Sequence, residues 1–202
     1  FCKKYNMPLV VKSSLVEDSN GTLICEEDSS MEQPVVSGIM IDKNQAKITI
    51  KGVPDHPGIA SKFFTGLAEE NLSVDMIIQN VSDENYTDIS FTVTKEDINK
   101  ATKIVQELGK LIEARDISAD PNICKVSIVG AGMRSHPGVA AKMFSALSNE
   151  NINIIMISTS EIRVSCIIEE KYGELAVRVL HKVFNMNKAE KNSALKGNDE
   201  SI

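Results

Sequence analysis

The chain has 202 residues, of which 42% are hydrophobic and 25% charged, and it carries a net charge of -6 at pH 7. That balance belongs to a globular protein of one or two domains, and the acidic surplus argues against a nucleic-acid partner, which would need a basic face. No apolar run approaches the roughly 20 residues of a membrane span, and the apolar stretch within residues 1–11 is too short for a secretory signal. Aromatic residues make up 4% with no Trp, so the core must be built from Ile, Val, Leu and Met. The four cysteines, Cys2, Cys25, Cys124 and Cys166, have no paired spacing. They are expected as free thiols in a reducing cytoplasm rather than as disulfides or metal ligands. The chain opens on Phe rather than Met, as a fragment of something longer would.

In chain order, residues 7–14 offer a first strand, and residues 16–30 form a loop rich in Asp, Glu, Ser and Gly. Residues 35–42 are a strand candidate with no obvious partner. The alternation over 46–51 marks a half-buried strand, and a turn through residue 56 leads to Pro57. Ile59, Ala60, Phe63, Phe64 and Leu67 then recur at helical spacing, with the helix expected to end near Glu70 and Asn71. Strands are predicted over 74–81 and 87–93 around a hairpin loop at 82–86. Thr94, with Asp97 three residues on, reads as a capped start to a second helix, whose stripe is Ile98, Ala101, Ile104, Val105 and Leu108. Gly109 is expected to close it, and 111–117 to supply a last strand.

The chain then repeats itself. Residues 135–160 match 55–80 at eleven of twenty-six positions, including His56/His136, Pro57/Pro137, Gly58/Gly138, Asn71/Asn151 and Met76/Met156. The second copy runs strand 125–129, turn 130–136, helix 137–150, strands 153–159 and 162–169, and helix 172–184. Two copies at so long a period mean a duplicated domain and not a solenoid. Each has the order βαββαβ, which places two helices on one face of an antiparallel sheet. The second copy lacks its fourth strand, because the residues after Phe184 carry almost no apolar side chains. The orphan at 35–42 is the economical substitute. The expected fold is α+β, two ferredoxin-like units with the first inserted within the second. The boundaries are 46–118 for the first and 35–43 plus 119–185 for the second, with residues 186–202 a disordered tail.

The turn that enters the first helix of each copy is the candidate site. Glycines allow close backbone approach, helix-start N–H groups accept an anion, and a carboxylate such as Asp55 accepts an ammonium. Together these suit a free α-amino acid. A plain helix start is the competing reading, and for His56 and His136 it is the better one, since no cluster of possible ligands surrounds either. Residues 130–132, Gly-Ala-Gly, lack the third glycine of a dinucleotide fingerprint, and no P-loop, nucleophile elbow or other catalytic constellation is present. Glu69-Glu70 and Glu169-Glu170 read as solvated ends of elements.

A βαββαβ unit with Asp-x-Pro-Gly at its first turn resembles the ACT domain, an amino-acid sensor. MIIQNVS at 76–82 and TDISFT at 87–92 resemble the first ACT unit of the aspartate kinase family, and GAGMRSHPG at 130–138 and ISTSEIR at 157–163 resemble its second. The resemblance covers roughly residues 31–185 and implies the nested arrangement too. Residues 1–30 resemble the tail of the kinase lobe or a linker, and the Lys-Phe-Gly-Gly signature that opens that lobe is absent. Met31 sits where an internal start would fall in members that make a separate small subunit.

The resemblance implies a regulatory part with no cofactor of its own, MgATP belonging to the kinase lobe. It also implies a homodimer through the ACT units and feedback by lysine and/or threonine. One site would use Asp55, Pro57, Gly58, Ala60 and Gln79, with Asn153 and Ile154 from a partner chain. The other would use Met133, Arg134, Ser135, Ser158 and Thr159, with Val74 and Asp75 from a partner chain. Asp55 against Ser135 and Gln79 against Thr159 suit different effectors. The alternatives are a free-standing amino-acid-binding module serving another partner, and a dimerisation module whose turns bind nothing.

Overall fold

A computed structural model of the chain describes residues 2, 5, 7–12, 14, 21–24, 35–81 and 85–186. The hairpin loop at 82–84, most of 13–34 and the tail from 187 lie outside the described residues. The chain divides into two compact units, Phe1–Gln33 and Pro34–Ile202. In the first unit, β1 (Leu9–Val11) pairs antiparallel with β2 (Thr22–Ile24), so the segment expected as loop supplies a strand. Every residue of both strands is exposed.

The second unit holds β3 (Gly38–Pro54), α1 (Ile59–Glu69), β4 (Ile77–Val81), β5 (Tyr86–Val93), α2 (Ile98–Leu111) and β6 (Asp116–Val129). After these come α3 (Val139–Asn149), β7 (Met156–Ser160), β8 (Arg163–Glu169) and α4 (Gly173–Val183). The strands form one six-stranded antiparallel sheet in the order β4-β5-β3-β6-β8-β7. Two sequence expectations merge here. The orphan strand and the first strand of copy one are a single 17-residue strand, β3, while the last strand of copy one and the first of copy two are a single β6. Gly38 to Asp42 pair with Val129 to Lys125, and Lys47 to Lys51 pair with Asp120 to Asp116. The early part of β3 thus serves copy two and its later part copy one, and copy one is nested in copy two.

The register of β3 against β6 shifts between Asp42 and Gln45 and again between Gln45 and Lys47. Such bulges re-aim side chains and increase local twist. Asp42 stabilises the irregularity by accepting from Asn44 N at 2.9 Å and from Gln45 Nε2 at 2.8 Å. Lys95 ties the halves together at the same place, donating from its backbone N to Asn44 Oδ1 at 3.2 Å and from Nζ to Glu170 at 2.7 Å.

Each half has its own core under its own pair of helices. In the first, Ile48 and Ile50 of β3 and Ile89 and Phe91 of β5 meet Ile59, Phe63 and Leu67 of α1 and Ala101 and Val105 of α2. Phe64 packs edge-on to Phe91, with ring centroids 5.5 Å apart. In the second, Cys124, Val126 and Ile128 of β6 meet Met143 and Leu147 of α3 and Ala176 and Leu180 of α4. Burying each large side chain contributes roughly 1.5–3 kcal/mol. A third cluster, Met76, Ile123, Met156 and Ile167, joins the halves. Ile167 falls between Cys166 and Ile168, both in the helix-covered core, so strand alternation puts this junction on the helix-free face.

Several boundaries differ from expectation for local reasons. Gly109 does not end α2: it is buried where an added Cβ would lie 2.5 Å from Ile117 Cδ1, and the helix continues to Leu111. Glu113, at φ 57, turns the chain there, and Ala114 N donates to Gly109 O at 2.9 Å. Residues 111–115 are therefore not strand. Thr94 does cap, but a turn earlier than α2: its Oγ1 donates to Asp97 Oδ2 at 2.8 Å and accepts from Asp97 N at 3.3 Å. Val74 and Asp75 precede β4 instead of belonging to it, with Asp75 N donating to Thr92 O.

Candidate functional site

Both candidate turns are built on one backbone device. Gly58 precedes α1 at φ 95, and Gly138 precedes α3 at φ 94, a conformation that L-residues adopt only with strain. An added Cβ would meet nothing within 4 Å at either position, so these glycines face open space. The helices begin at Ile59 and Val139, two residues later than the prolines suggested, and Pro57 and Pro137 lie in the preceding turn. Gly58 O accepts from Lys62 N and Gly138 O from Lys142 N. Among the described residues, the N–H groups of Ala60, Ser61, Ala140 and Ala141 find no acceptor. Unpaired donors at a helix start are a ready place for a carboxylate.

The decoration of the two turns differs. In the first, β3 runs straight to Pro54, and Asp55 N donates to Asn85 O at 2.7 Å, leaving the Asp55 side chain exposed. Gln79 stands exposed on edge strand β4, opposite Ile89, which is opposite Ile50. Since Ile50 and Ile89 are core residues under α1, Gln79 points to the same face as the helix and its turn. In the second, two extra residues form a 3-10 turn, Ala131–Ser135. Gly130 N donates to Ile162 O at 3.0 Å, and a Cβ on Gly130 would lie 2.2 Å from Val35 O, which explains this glycine by packing. Met133 packs against the second core. The side chains of Arg134 and Ser135 lie outside the described residues. Thr159 takes the place of Gln79, opposite Val164.

The histidines act locally. His56 Nδ1 lies 3.2 Å from Pro57 O, and His136 Nδ1 lies 2.8 Å from Gly132 O. No group of His, Cys, Asp and Glu able to hold a metal occurs among the described residues. Cys124 and Cys166 are buried free thiols, and burial pushes them up to about 11 and about 12.

The partner-derived residues fall into two groups. Val74 packs against the first core and Ile154 against the second, each in its own half, and Asn153 is exposed beside Ile154. Asp75 instead reaches the other half of its own chain. It forms an ion pair with Lys125 of β6, which lies 3.7 Å from Asp42 and is only 15% exposed. A cleft of about 320 Å³ opens beside this pair, lined by Asp75, Lys125, Ser158, Thr159, Arg163 and Ser165 among others. Lys125, Arg163 and Ser165 were not singled out from sequence. A lysine between Cys124 and Val126 was the available signal, since it must face away from the core they enter.

Known proteins carry the same arrangement. The ACT domain family model matches residues 48–108 and 126–184. An aspartate kinase of Stutzerimonas stutzeri is 51% identical over 194 residues, covering 96% of this chain and 47% of its own length. An aspartokinase of Pseudomonas aeruginosa is 53% identical over 189 residues, covering 93% and 46%. The chain thus spans about half the length of these curated relatives. Among solved structures, one of aspartokinase alpha and beta subunits superposes with a TM-score of 0.71 at 55% identity, covering 74% of this chain and 99% of the other. The regulatory subunit of aspartate kinase from Thermus thermophilus gives 0.71 at 43% identity, with the same coverages. No helix among the described residues is long and apolar enough to cross a membrane. With ACT matches in both halves and regulatory subunits matched over 99% of their length, this chain belongs to the ACT-domain family as the regulatory part of an aspartate kinase.

Proposed function

We infer that the chain senses lysine and threonine, and that their binding shuts down a cytoplasmic kinase that phosphorylates the β-carboxylate of aspartate with MgATP. The observation that carries this reading is the pair of open glycine turns, each presenting unpaired helix-start N–H groups. The carboxylate of a free amino acid meets those groups, and the chemistry around each turn selects the rest of the molecule. Threonine belongs to the Asp55 turn, where Asp55 and Gln79 supply acceptors for its ammonium and hydroxyl. The partner's Asn153 and the partner's Ile154 close that site. Lysine belongs to the second turn, with Met133, Arg134, Ser135, Ser158 and Thr159, and its second ammonium needs a carboxylate such as Asp75.

Homodimerisation fits the two sheet edges. β4 and β7 end the sheet, and each exposes an equivalent isoleucine, Ile77 at 52% and Ile157 at 42%. Native proteins pair or cover such edges. The kinase lobe is the partner for the hairpin β1–β2, whose exposed Leu9, Val10, Val11, Leu23 and Ile24 make an apolar surface that two strands cannot bury alone. The twofold greater length of the relatives leaves room for such a lobe.

Calorimetric titration of the chain with threonine and with lysine tests the reading. Both are expected to bind, and Asp55→Ala to weaken threonine by about ten- to a hundredfold, the loss of one charged hydrogen bond. Absence of binding by both amino acids sinks the proposal and leaves a dimerisation module.

A further inference from the structure

We propose that Arg115 is a positioning residue for the Asp55 turn: stacked on Tyr86 behind that turn, it sets the backbone geometry in which threonine is held. This deepens the proposed function and rests on it, since it concerns how one of the two turns is braced and leaves the ligand contacts where they are.

The pairing of β3 with β5 shifts register between Ile50 and Val53, and Gly52 stands in that shift at φ 60. Its N–H donates to Asp88 Oδ1 at 2.8 Å. Just before it, Lys51 O accepts from Arg115 N at 2.9 Å. The Arg115 side chain then runs across Gly52, where an added Cβ would lie 2.4 Å from Arg115 Cδ and 2.6 Å from Arg115 Cγ. The glycine is needed twice, for its left-handed backbone and for the passage of that stem. Beyond it, the guanidinium carbon sits 3.9 Å from the centroid of the Tyr86 ring.

Tyr86 is joined directly to the turn. It pairs with Pro54, and its neighbour Asn85 accepts from Asp55 N at 2.7 Å. A shift of Tyr86 therefore moves both residues at which β3 becomes the turn. Ile89 faces the core under α1, so by alternation Tyr86 and Asp88 face the other way. Arg115 thus acts from the side opposite Gln79 and the helix start, through the backbone, without touching the bound amino acid.

The second copy is built differently at this place. Asp116 is opposite Lys51 and Gly38 is opposite Val129, so Ser37 is the counterpart of Arg115. The main-chain link is the same, with Ser37 N donating to Val129 O at 2.8 Å. The side chain is not, since Ser37 Oγ only reaches back to that same oxygen at 3.3 Å. Gly130, the counterpart of Gly52, is met by backbone, with Val35 O the nearest atom to an added Cβ. One turn is braced by main chain, the other by an exposed cation on an aromatic ring. Such a contact changes an equilibrium about two- to fivefold at an exposed site.

The test is calorimetric titration of threonine and lysine into the intact chain and into Arg115→Met, Tyr86→Leu and the double variant. Arg115→Met keeps a stem over Gly52 and removes the charge. Each single variant should weaken threonine about two- to fivefold and leave lysine binding unchanged, which also shows that the variants are folded. The double variant should lose no more than either single one, because both break the same contact. Unchanged threonine affinity in Arg115→Met overturns the inference and leaves the proposed function standing. So do additive losses in the double variant, which would separate Arg115 from Tyr86, and equal losses for both amino acids, which a loosened fold would give. A wild-type chain to which threonine does not bind removes this inference together with the threonine half of the proposed function.

Discussion

The two halves of the sheet are copies, and what they kept differs in kind from what they changed. The retained residues hold the backbone. Gly58 and Gly138 share a left-handed conformation before their helices, Asn71 and Asn151 share φ 57 and 56 just after them, and Leu67 and Leu147 are fully buried. Around the turns and the edge strands the residues change: Asp55 against Ser135, and the exposed Gln79 against the exposed Thr159. Identity between the copies therefore includes the residues that set the backbone of each turn, while the side chains around the turns have diverged.

The largest test of that equivalence is in the cores. Phe63 and Met143 occupy matching helix positions and are both fully buried. Phe63→Ala should cost about 3–5 kcal/mol and Met143→Ala about 2–5 kcal/mol, read from urea denaturation. Because β3 and β6 run through both halves, each variant should still unfold in one transition. A two-step curve in which only the mutated half melts early would show that the halves are energetically separate.

Backbone equivalence predicts a smaller and matched effect. Gly58→Ala and Gly138→Ala should each cost about 1–2 kcal/mol from strain alone, since neither Cβ meets a neighbour. Unequal costs would mean that one turn relaxes and that the two are not the same device.

The smallest effect concerns the thiols, which only the second half carries in its core. At pH 8, a thiol at about 12 is ionised to roughly one part in ten thousand, and one at about 11 to roughly one in a thousand. Iodoacetamide should therefore modify the half-buried Cys2 well before Cys124 or Cys166. Unfolded thiols ionise near 8.5 while these two stay protonated in the fold, so stability falls as pH rises above about 8.5. Equal labelling of all three in native protein at pH 8, followed by mass spectrometry, would contradict their burial.

Much of this arrangement was legible in the sequence because the signals are local. Helical stripes such as Ile59–Phe63–Leu67 and alternation such as Ile48–Ile50 follow from periodicity. The orphan strand followed from counting, since a βαββαβ unit without its last strand must find one. The fusion of strands into β3 and β6 was not legible. Residues 43–45 fall between the strands expected at 35–42 and 46–51, whereas in the structure a bulge carries the pairing through them. Gly109 read as a stop signal because nothing in its neighbours announces the close approach of Ile117. The cleft was half legible: Asp75, Ser158 and Thr159 were named, but their meeting within one chain depends on the order of the strands across both halves, which no sequence period encodes.

The continuity of β3 has a mechanical meaning. The strand is about 55 Å of hydrogen-bonded chain by its rise per residue, with the Asp55 turn at one end and Val36, buried in the opposite half's core, just before the other. Strand β6 pairs with it from Gly38 to Lys51 and β5 from Ala46 to Pro54, so a single run of hydrogen-bonded backbone links the two halves. Torque applied at its Pro54 end would pass along the strand through the bulge at Gln45 to the start of the sheet. Along that route the ladder with β6 is interrupted at the bulge, where it shifts register and the buried Gln45 Oε1 has no hydrogen-bond partner among the described residues.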